Sequence, residues 1–186
     1  MQRKKQNKKL YTIVLTSVFT AVITVMTFYI KIPSHNGYIH LGDSMIYLAS
    51  CLLPMPYAVI CASLGGMLAD TLGGYIIYII PTLIIKGLLT LAFNHKADRI
   101  LTKRNVFAVG VASVITTIGY YIAEVVLVCV SSVTNAGAFF EKFFSPVPWS
   151  AALYCIPGNI MQALGSAVVF ILIAIALDKI RIKDKI

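Results

Sequence analysis

A single carboxylate interrupts the apolar run Thr116-Thr117-Ile118-Gly119-Tyr120-Tyr121-Ile122-Ala123-Glu124-Val125-Val126-Leu127. A second apolar run, Cys155-Ile156-Pro157-Gly158-Asn159-Ile160-Met161-Gln162-Ala163, carries two amides. Both runs belong to segments that are long and apolar enough to cross a bilayer. Because a polar side chain in hydrocarbon is costly, these groups indicate a functional site. We interpret the rest of the chain as a scaffold that brings them to one cavity.

The composition places the chain among integral membrane proteins. Of its 186 residues, 59% are hydrophobic and only 12% are charged. Soluble domains have about a quarter of their residues charged, so this chain is too apolar to be one of them. At this length we expect one membrane domain over residues 1–186.

The net charge of +9 is distributed in a way that argues against nucleic-acid binding. The basic residues cluster at Arg3–Lys9, Lys96–Arg104 and Lys179–Lys185, and each cluster flanks a long apolar run. Cytoplasmic ends of membrane helices retain Lys and Arg in this way. The predicted cytoplasmic segments are residues 1–9, 94–105 and 179–186.

The chain carries no signature of an enzyme, a cofactor site or a metal site. Its four cysteines lie within apolar stretches and form neither a CxxC pair nor a cluster with histidine. We therefore interpret them as small buried apolar side chains. GxSxG, HExxH and phosphate-loop motifs are absent from the sequence. We therefore expect no catalysis, and any uphill transport must draw its energy from a partner or an ion gradient.

The hydropathy pattern predicts an all-α membrane fold with six transmembrane helices, of which the second is short. The predicted helices are Leu10–Ile30, Met45–Leu53, Tyr57–Leu72, Tyr75–Phe93, Val106–Val130, and one from Trp149 to just before Asp178. Four helices separate the first two basic clusters and two separate the last two, so all three clusters can be cytoplasmic. This predicts that both termini lie inside and that Ser131–Pro148 is an outer loop. Gly42-Asp43-Ser44 predicts the N-cap of the short helix.

Ten polar or aromatic side chains are candidates for binding a small molecule. They are Tyr38, His40, Asp43, Tyr75, Tyr78, Lys86, Tyr120, Glu124, Asn159 and Gln162. Those on one helix are spaced so that several share a face, as Tyr75 and Tyr78 do. Aromatic rings with a few hydrogen-bonding groups in an apolar shell suit a small planar ligand.

Each candidate also has a structural interpretation. Lys86 could pair with Glu124 or extend to the membrane surface, and Asp43 could simply cap its helix. Asp70, near the turn at Gly73-Gly74, is better explained as a turn-capping residue. The two amides could join helices through hydrogen bonds, and single tyrosines are mostly packing residues. Glu124 is the least easily explained by structure, because a lone carboxylate there needs a partner.

Several short motifs in a fixed order resemble one family of membrane proteins. They are Gly37–Asp43, Leu64–Asp70, Gly73-Gly74-Tyr75, Ile84–Leu88 and Ile156–Gln162. Together with six helices in so short a chain, they resemble the substrate-binding S components of energy-coupling factor (ECF) transporters. The riboflavin and hydroxymethylpyrimidine type is the most similar, and the resemblance covers nearly the whole chain.

The resemblance implies a multi-pass protein of the plasma membrane that binds a micronutrient from outside. Its partners would be a transmembrane coupling subunit and two ATPase subunits. In this family the nutrient lies near the outer surface, and small residues on the first helix contact the coupling subunit. The matching positions here are Ser17 and Ala21, with Ser in place of the family's first Ala. The resemblance leaves hydroxymethylpyrimidine, pyridoxine, riboflavin and a queuosine precursor such as queuine open as substrates.

Three other functions are compatible with parts of the sequence. A stand-alone carrier could couple transport to protons through Glu124 and Lys86, although six helices without an inverted repeat argue against it. A membrane enzyme acting on lipid would need paired carboxylates or a nucleophile with its activating partners, and the sequence shows neither constellation. A structural subunit would use its polar groups only for helix packing.

Overall fold

The computed structural model describes residues 2–33, 38–132 and 135–185, without the side chains of residues 2–5 and of Tyr38. Helices make up 81% of the chain, so the predicted all-α class is confirmed. A hairpin of two short antiparallel strands is the exception, with Ile32 opposite Ile39. The strands are β1, Lys31–Pro33, and β2, Tyr38–His40.

The described residues form eight α-helices. They are α1 Gln2–Tyr29, α2 Gly42–Leu52, α3 Met55–Gly73, α4 Ile79–Thr90, α5 Lys103–Val130, α6 Ala136–Phe143, α7 Pro146–Ala152 and α8 Cys155–Lys179. A 3-10 turn, Ile76–Tyr78, leads directly into α4, and another, Ile182–Asp184, follows α8.

In the part of the chain that the structure describes, four helices are long and apolar enough to cross a membrane, which makes this a multi-pass membrane protein. These spans are Gln6–Tyr29, Met55–Gly73, Lys103–Val130 and Cys155–Lys179, and Ile76–Thr90 is a shorter apolar helix. The long helices expose large apolar side chains such as Val18, Phe107 and Val168. Because the interior of a bilayer is itself apolar, this surface is suited to contact with lipid.

The short helix α2 lies at the centre of the bundle. Its 11 residues extend about 16 Å, roughly half the thickness of a bilayer core. All residues from Gly42 to Cys51 are buried, and α2 contacts α1, α3, α4 and α8. Tyr47 of α2 stacks on Phe93 at 5.3 Å and meets Phe170 edge-on at 5.8 Å. The longer helices therefore enclose α2 rather than leaving it to span alone.

Small residues allow α1 and α3 to approach closely. Thr24 of α1 donates a hydrogen bond to the carbonyl of Gly65 on α3 at 3.1 Å. A Cβ atom at Gly65 would lie only 2.7 Å from the side chain of Ile23, so glycine is required there. Ser17 and Ala21 lie outside this contact and are exposed.

The structure corrects three details predicted from the sequence. The segment Ser131–Pro148, predicted as an outer loop, contains α6 and the start of α7. The last long helix begins at Cys155 rather than near Trp149, because the α-helical hydrogen-bond pattern is interrupted at Leu153 and Tyr154, although both keep helical backbone angles. Asn135 caps α6 by accepting a hydrogen bond from the N–H of Ala138, and Pro146 occupies the first turn of α7.

The third correction concerns the start of α2. Leu41, not Asp43, is the capping residue, and it makes no side-chain capping bond. Asp43 lies inside the first helical turn, where its carboxylate is available for contacts with other helices.

Candidate functional site

A cavity opens at the end of the bundle where α3 and α5 finish and where α4 and α8 begin. It encloses about 680 Å³ when its open mouth is included. The lining residues are Thr27, Ile39, His40, Asp70, Tyr75, Tyr78, Thr82, Tyr120, Glu124, Tyr154, Cys155, Gly158, Asn159 and Gln162. Four tyrosine rings and several polar groups therefore meet in one apolar bundle.

The Gly73-Gly74 turn brings three of these side chains to the cavity. Gly74 adopts φ 77, a left-handed conformation that glycine tolerates, and its N–H caps the end of α3. The N–H of Tyr75 then donates to the carbonyl of Asp70 at 2.9 Å. A Cβ atom at Gly73 would meet the ring of Tyr75 at 2.9 Å, so the turn needs glycine here as well. The chain reverses tightly and places Asp70, Tyr75 and Tyr78 on the same wall.

Glu124 is held in place by two hydroxyl groups from different parts of the fold. Its Oε1 accepts a hydrogen bond from the Tyr78 hydroxyl, and its Oε2 accepts one from the Tyr154 hydroxyl at 2.8 Å. The side chain is buried, with 6% of its surface exposed. Among the described residues Glu124 forms no ion pair. Burying a carboxylate without a cation is unfavourable, so this group is prepared for a further partner.

Beneath the cavity lies a fully buried ion pair. Lys86 Nζ donates to Asp43 Oδ1 at 2.6 Å, and both side chains are inaccessible to solvent. Gln162 joins this pair to the cavity, because its Nε2 donates to Asp43 Oδ2 at 3.0 Å while the residue also lines the wall. Lys86 Nζ also lies 5.1 Å from the centre of the Tyr120 ring, within range of a cation–π contact.

His40 closes one side of the cavity as a neutral side chain. Its Nδ1 accepts a hydrogen bond from the N–H of Gly42 at 3.1 Å, and its own backbone N–H donates to Gln162 Oε1 at 3.3 Å. Burial and, to a smaller extent, the positive charge of Lys86 lower the pKa of His40 to about 3, against the opposing effect of Asp43. The hydrogen bond from the His40 N–H to the Gln162 side chain attaches strand β2 to α8.

The structure brings seven of the ten predicted residues around the cavity. They are His40, Tyr75, Tyr78, Tyr120, Glu124, Asn159 and Gln162. Asp43 and Lys86 lie directly beneath it, and the side chain of Tyr38 is outside the described residues. Both structural alternatives for Lys86, pairing with Glu124 and extension to the membrane surface, are wrong, because Lys86 is buried and paired with Asp43.

The two amides of α8 behave differently. Asn159 Nδ2 donates to the carbonyl of Cys155 in its own helix at 3.0 Å, so it does not use this group to join helices. Gln162 contacts both β2 and α2 and therefore joins three elements. Asp70, interpreted from the sequence as a turn-capping residue, lines the cavity.

Seven lining residues were not among the candidates. They are Thr27, Ile39, Asp70, Thr82, Tyr154, Cys155 and Gly158. Thr82 could have been found, because it lies four residues after Tyr78 and four before Lys86 on one helix face. Its hydroxyl lies 3.0 Å from that of Tyr120. Tyr154 lies between α7 and α8 but keeps helical backbone angles, and it could also have been found, because it lies eight residues before Gln162 on the same face.

Comparison with known proteins adds a family and a fold. A family model described as "ECF-type riboflavin transporter, S component" matches residues 7–179. A solved structure described as "Structure and mechanism of the S component of a bacterial ECF transporter" has the same fold, with a TM-score of 0.66. The two chains are 22% identical, and the match covers 94% of this chain and 98% of that one. None of the curated proteins compared with the sequence matches it.

Proposed function

Because the chain belongs to the family of ECF-type riboflavin transporter S components, we propose that its cavity captures a small heterocyclic micronutrient for ATP-driven uptake. Members of this family are substrate-binding subunits rather than enzymes, and they work with a membrane subunit and ATPases. The observation that carries the proposal is the buried Glu124, held by Tyr78 and Tyr154 in the wall of an aromatic cavity.

The lining of the cavity supports a small planar ligand. It combines aromatic rings with a few polar side chains, as small-molecule sites do. The rings of Tyr75, Tyr78, Tyr120 and Tyr154 offer faces on which a heterocycle can stack. Hydroxymethylpyrimidine, pyridoxine, riboflavin and a queuosine precursor such as queuine fit this description.

The proposed topology has six membrane segments, with both termini in the cytoplasm and the cavity facing outward. The six segments are the four long spans, the short helix α2 and the apolar segment Ile76–Thr90. Lys8, Lys96 and Lys183, one from each basic cluster, line a crevice at the end of the bundle opposite the cavity. Lys183 Nζ donates to the carbonyls of His95 and Ala97 at 2.9 and 2.6 Å. This arrangement favours a common cytoplasmic side for all three clusters.

The proposed partners are a transmembrane coupling subunit and two ATPase subunits in the plasma membrane. The exposed face of α1 around Ser17 and Ala21 is suited to contact the coupling subunit. The hydroxyl of Ser17 donates to the carbonyl of Ile13 at 3.1 Å within α1. Its polar group is thus already satisfied, and the small side chains leave room for another helix to approach.

The experiment is purification of the full chain in detergent, followed by mass spectrometry of the small molecules that it releases. A bound heterocycle would support the proposal, and cellular uptake of that compound should then require the coupling subunit and ATPases. Uptake that continues without them and stops with a protonophore would favour the stand-alone carrier. A protein that binds no nutrient and copurifies with no partner would contradict the proposal.

A further inference from the structure

The hydrogen bonds around Glu124 constrain the chemistry of the ligand. Each carboxylate oxygen can accept about two hydrogen bonds, and each accepts one here, from Tyr78 and from Tyr154. Both oxygens therefore retain capacity for one more donor. Since Glu124 lines the cavity, a bound molecule can supply both donors.

Two other groups of the wall use one donor each within the protein. Gln162 Nε2 donates one of its two N–H groups to Asp43, and Asn159 Nδ2 donates one of its two to the carbonyl of Cys155. The hydroxyls of Tyr78 and Tyr154 are committed to Glu124 and retain only their acceptor lone pairs. The carboxylate and the two hydroxyls that meet at Glu124 therefore offer only acceptors to the cavity, and the ligand edge that faces them must supply donors.

The charge of Glu124 points in the same direction. This carboxylate lines the cavity and forms no ion pair among the described residues. The lysine beneath the cavity, Lys86, is paired with Asp43. A donor-rich or positively charged ligand edge would therefore stabilise the buried Glu124 carboxylate, whereas a carbonyl-rich edge would be repelled.

We propose that the substrate presents an amino group next to a ring nitrogen, an amidine-like edge that donates one hydrogen bond to each oxygen of Glu124. This inference rests on the proposed function. The amino group supplies one N–H, and the neighbouring ring nitrogen, protonated from solvent, supplies the other. An imide edge, in which two carbonyls flank one N–H, offers a single donor and places two acceptors against the carboxylate. Aminopyrimidine-like nutrients are thus favoured over flavin-like ones.

The test uses two probes that differ only at this edge. They are 4-amino-5-hydroxymethyl-2-methylpyrimidine and its 4-oxo analogue, and riboflavin serves as the imide probe. Their affinities for the ligand-free full chain in detergent are measured by isothermal titration calorimetry. We expect the amino compound to bind at least about 10-fold more tightly than the oxo analogue, the size of one charge-assisted hydrogen bond.

Glu124→Gln should weaken binding of the amino compound by about 10- to 100-fold. Its amide pairs a carbonyl with an NH₂ group, which complements a lactam, so the preference over the oxo analogue should shrink or reverse. Glu141→Gln makes the same chemical change at an exposed position of α6 and should leave both affinities unchanged. Thermal unfolding without ligand checks that both variants fold.

The outcomes separate this inference from the proposed function. Equal affinity for the two pyrimidines, tighter binding of riboflavin, or a copurified ligand without an amidine-like edge would overturn the inference while leaving nutrient binding in place. An unchanged preference in a folded Glu124→Gln variant would also overturn it. Failure of every probe, with no copurified ligand, would overturn both.

Discussion

Lys86 of α4 and Asp43 of α2 form an ion pair in which Nζ and Oδ1 are 2.6 Å apart and both side chains are buried from solvent. The two residues are 43 positions apart in sequence, and the pair joins the enclosed short helix to the wall of the bundle. Gln162 extends the connection to α8 and to the cavity. Removing one partner would leave the other charged and buried.

The first prediction concerns this pair. Lys86→Met should destabilise the protein by about 3–5 kcal/mol, because it leaves Asp43 as an uncompensated buried charge. The double variant Asp43→Leu with Lys86→Met should recover much of that loss, since neither charge remains. Thermal unfolding in detergent, followed by circular dichroism, measures both. A single variant as stable as the wild type would show that the pair does not stabilise the fold.

The second prediction tests the close contact of α1 with α3. Gly65→Ala would place a Cβ atom 2.7 Å from Ile23, so a well-packed interface must shift, at a cost of about 1–3 kcal/mol. Gly110→Ala is the matched control, because a Cβ atom there meets nothing within 4 Å and alanine favours the helix. The melting temperature should fall for Gly65→Ala and should stay level or rise for Gly110→Ala. Equal effects would contradict the packing argument.

The third prediction follows from the pKa of His40, which is about 3 in the folded protein against 6.5 for a free histidine. Below pH 6.5 the unfolded chain binds a proton that the folded protein does not. Stability should therefore fall as the pH drops from 6.5 towards 3, by about 2 kcal/mol between pH 6.5 and 5.

His40→Asn isolates this contribution. Asparagine keeps an acceptor for the N–H of Gly42 but has no proton to gain in this range. Melting temperatures at pH 7.5 and pH 5 should differ more in the wild type than in the variant. An identical pH dependence of the melting temperature in the two proteins would show that burial does not keep His40 neutral in the folded protein.

The fourth prediction separates partner contact from ligand binding. Ala21→Trp adds bulk to the exposed face of α1, so uptake should be lost while the purified protein retains its affinity for ligand. Val168→Trp adds a similar side chain at an exposed position of α8 and should leave uptake intact. Cellular uptake and calorimetry are measured for both variants. Loss of binding in the first would place Ala21 in internal packing instead.

Spacing along single helices identified much of the candidate site. Tyr75 and Tyr78 are three residues apart and do line one cavity, and Gln162 lines it from α8. The resemblance to S components is confirmed at the level of the family, whereas the roles of these residues in binding stay predictions. The sequence placed Glu124 in the site but did not identify Tyr154 as its partner, because no local pattern shows which residues of α5 and of the link before α8 are neighbours.

Composition and hydropathy were sufficient to determine a helical membrane protein. In a bilayer the backbone polar groups must be satisfied within each segment, so long apolar runs with basic ends form helices whatever surrounds them. The pairing of charges was decided only by the tertiary structure. Lys86 could reach Asp43 or Glu124 as far as sequence spacing shows, and the choice depends on how each helix is rotated and which helices are neighbours. The rotation of each helix and the choice of its neighbours are set by packing across the whole bundle, with the short α2 enclosed at its centre. No local sequence pattern determines them.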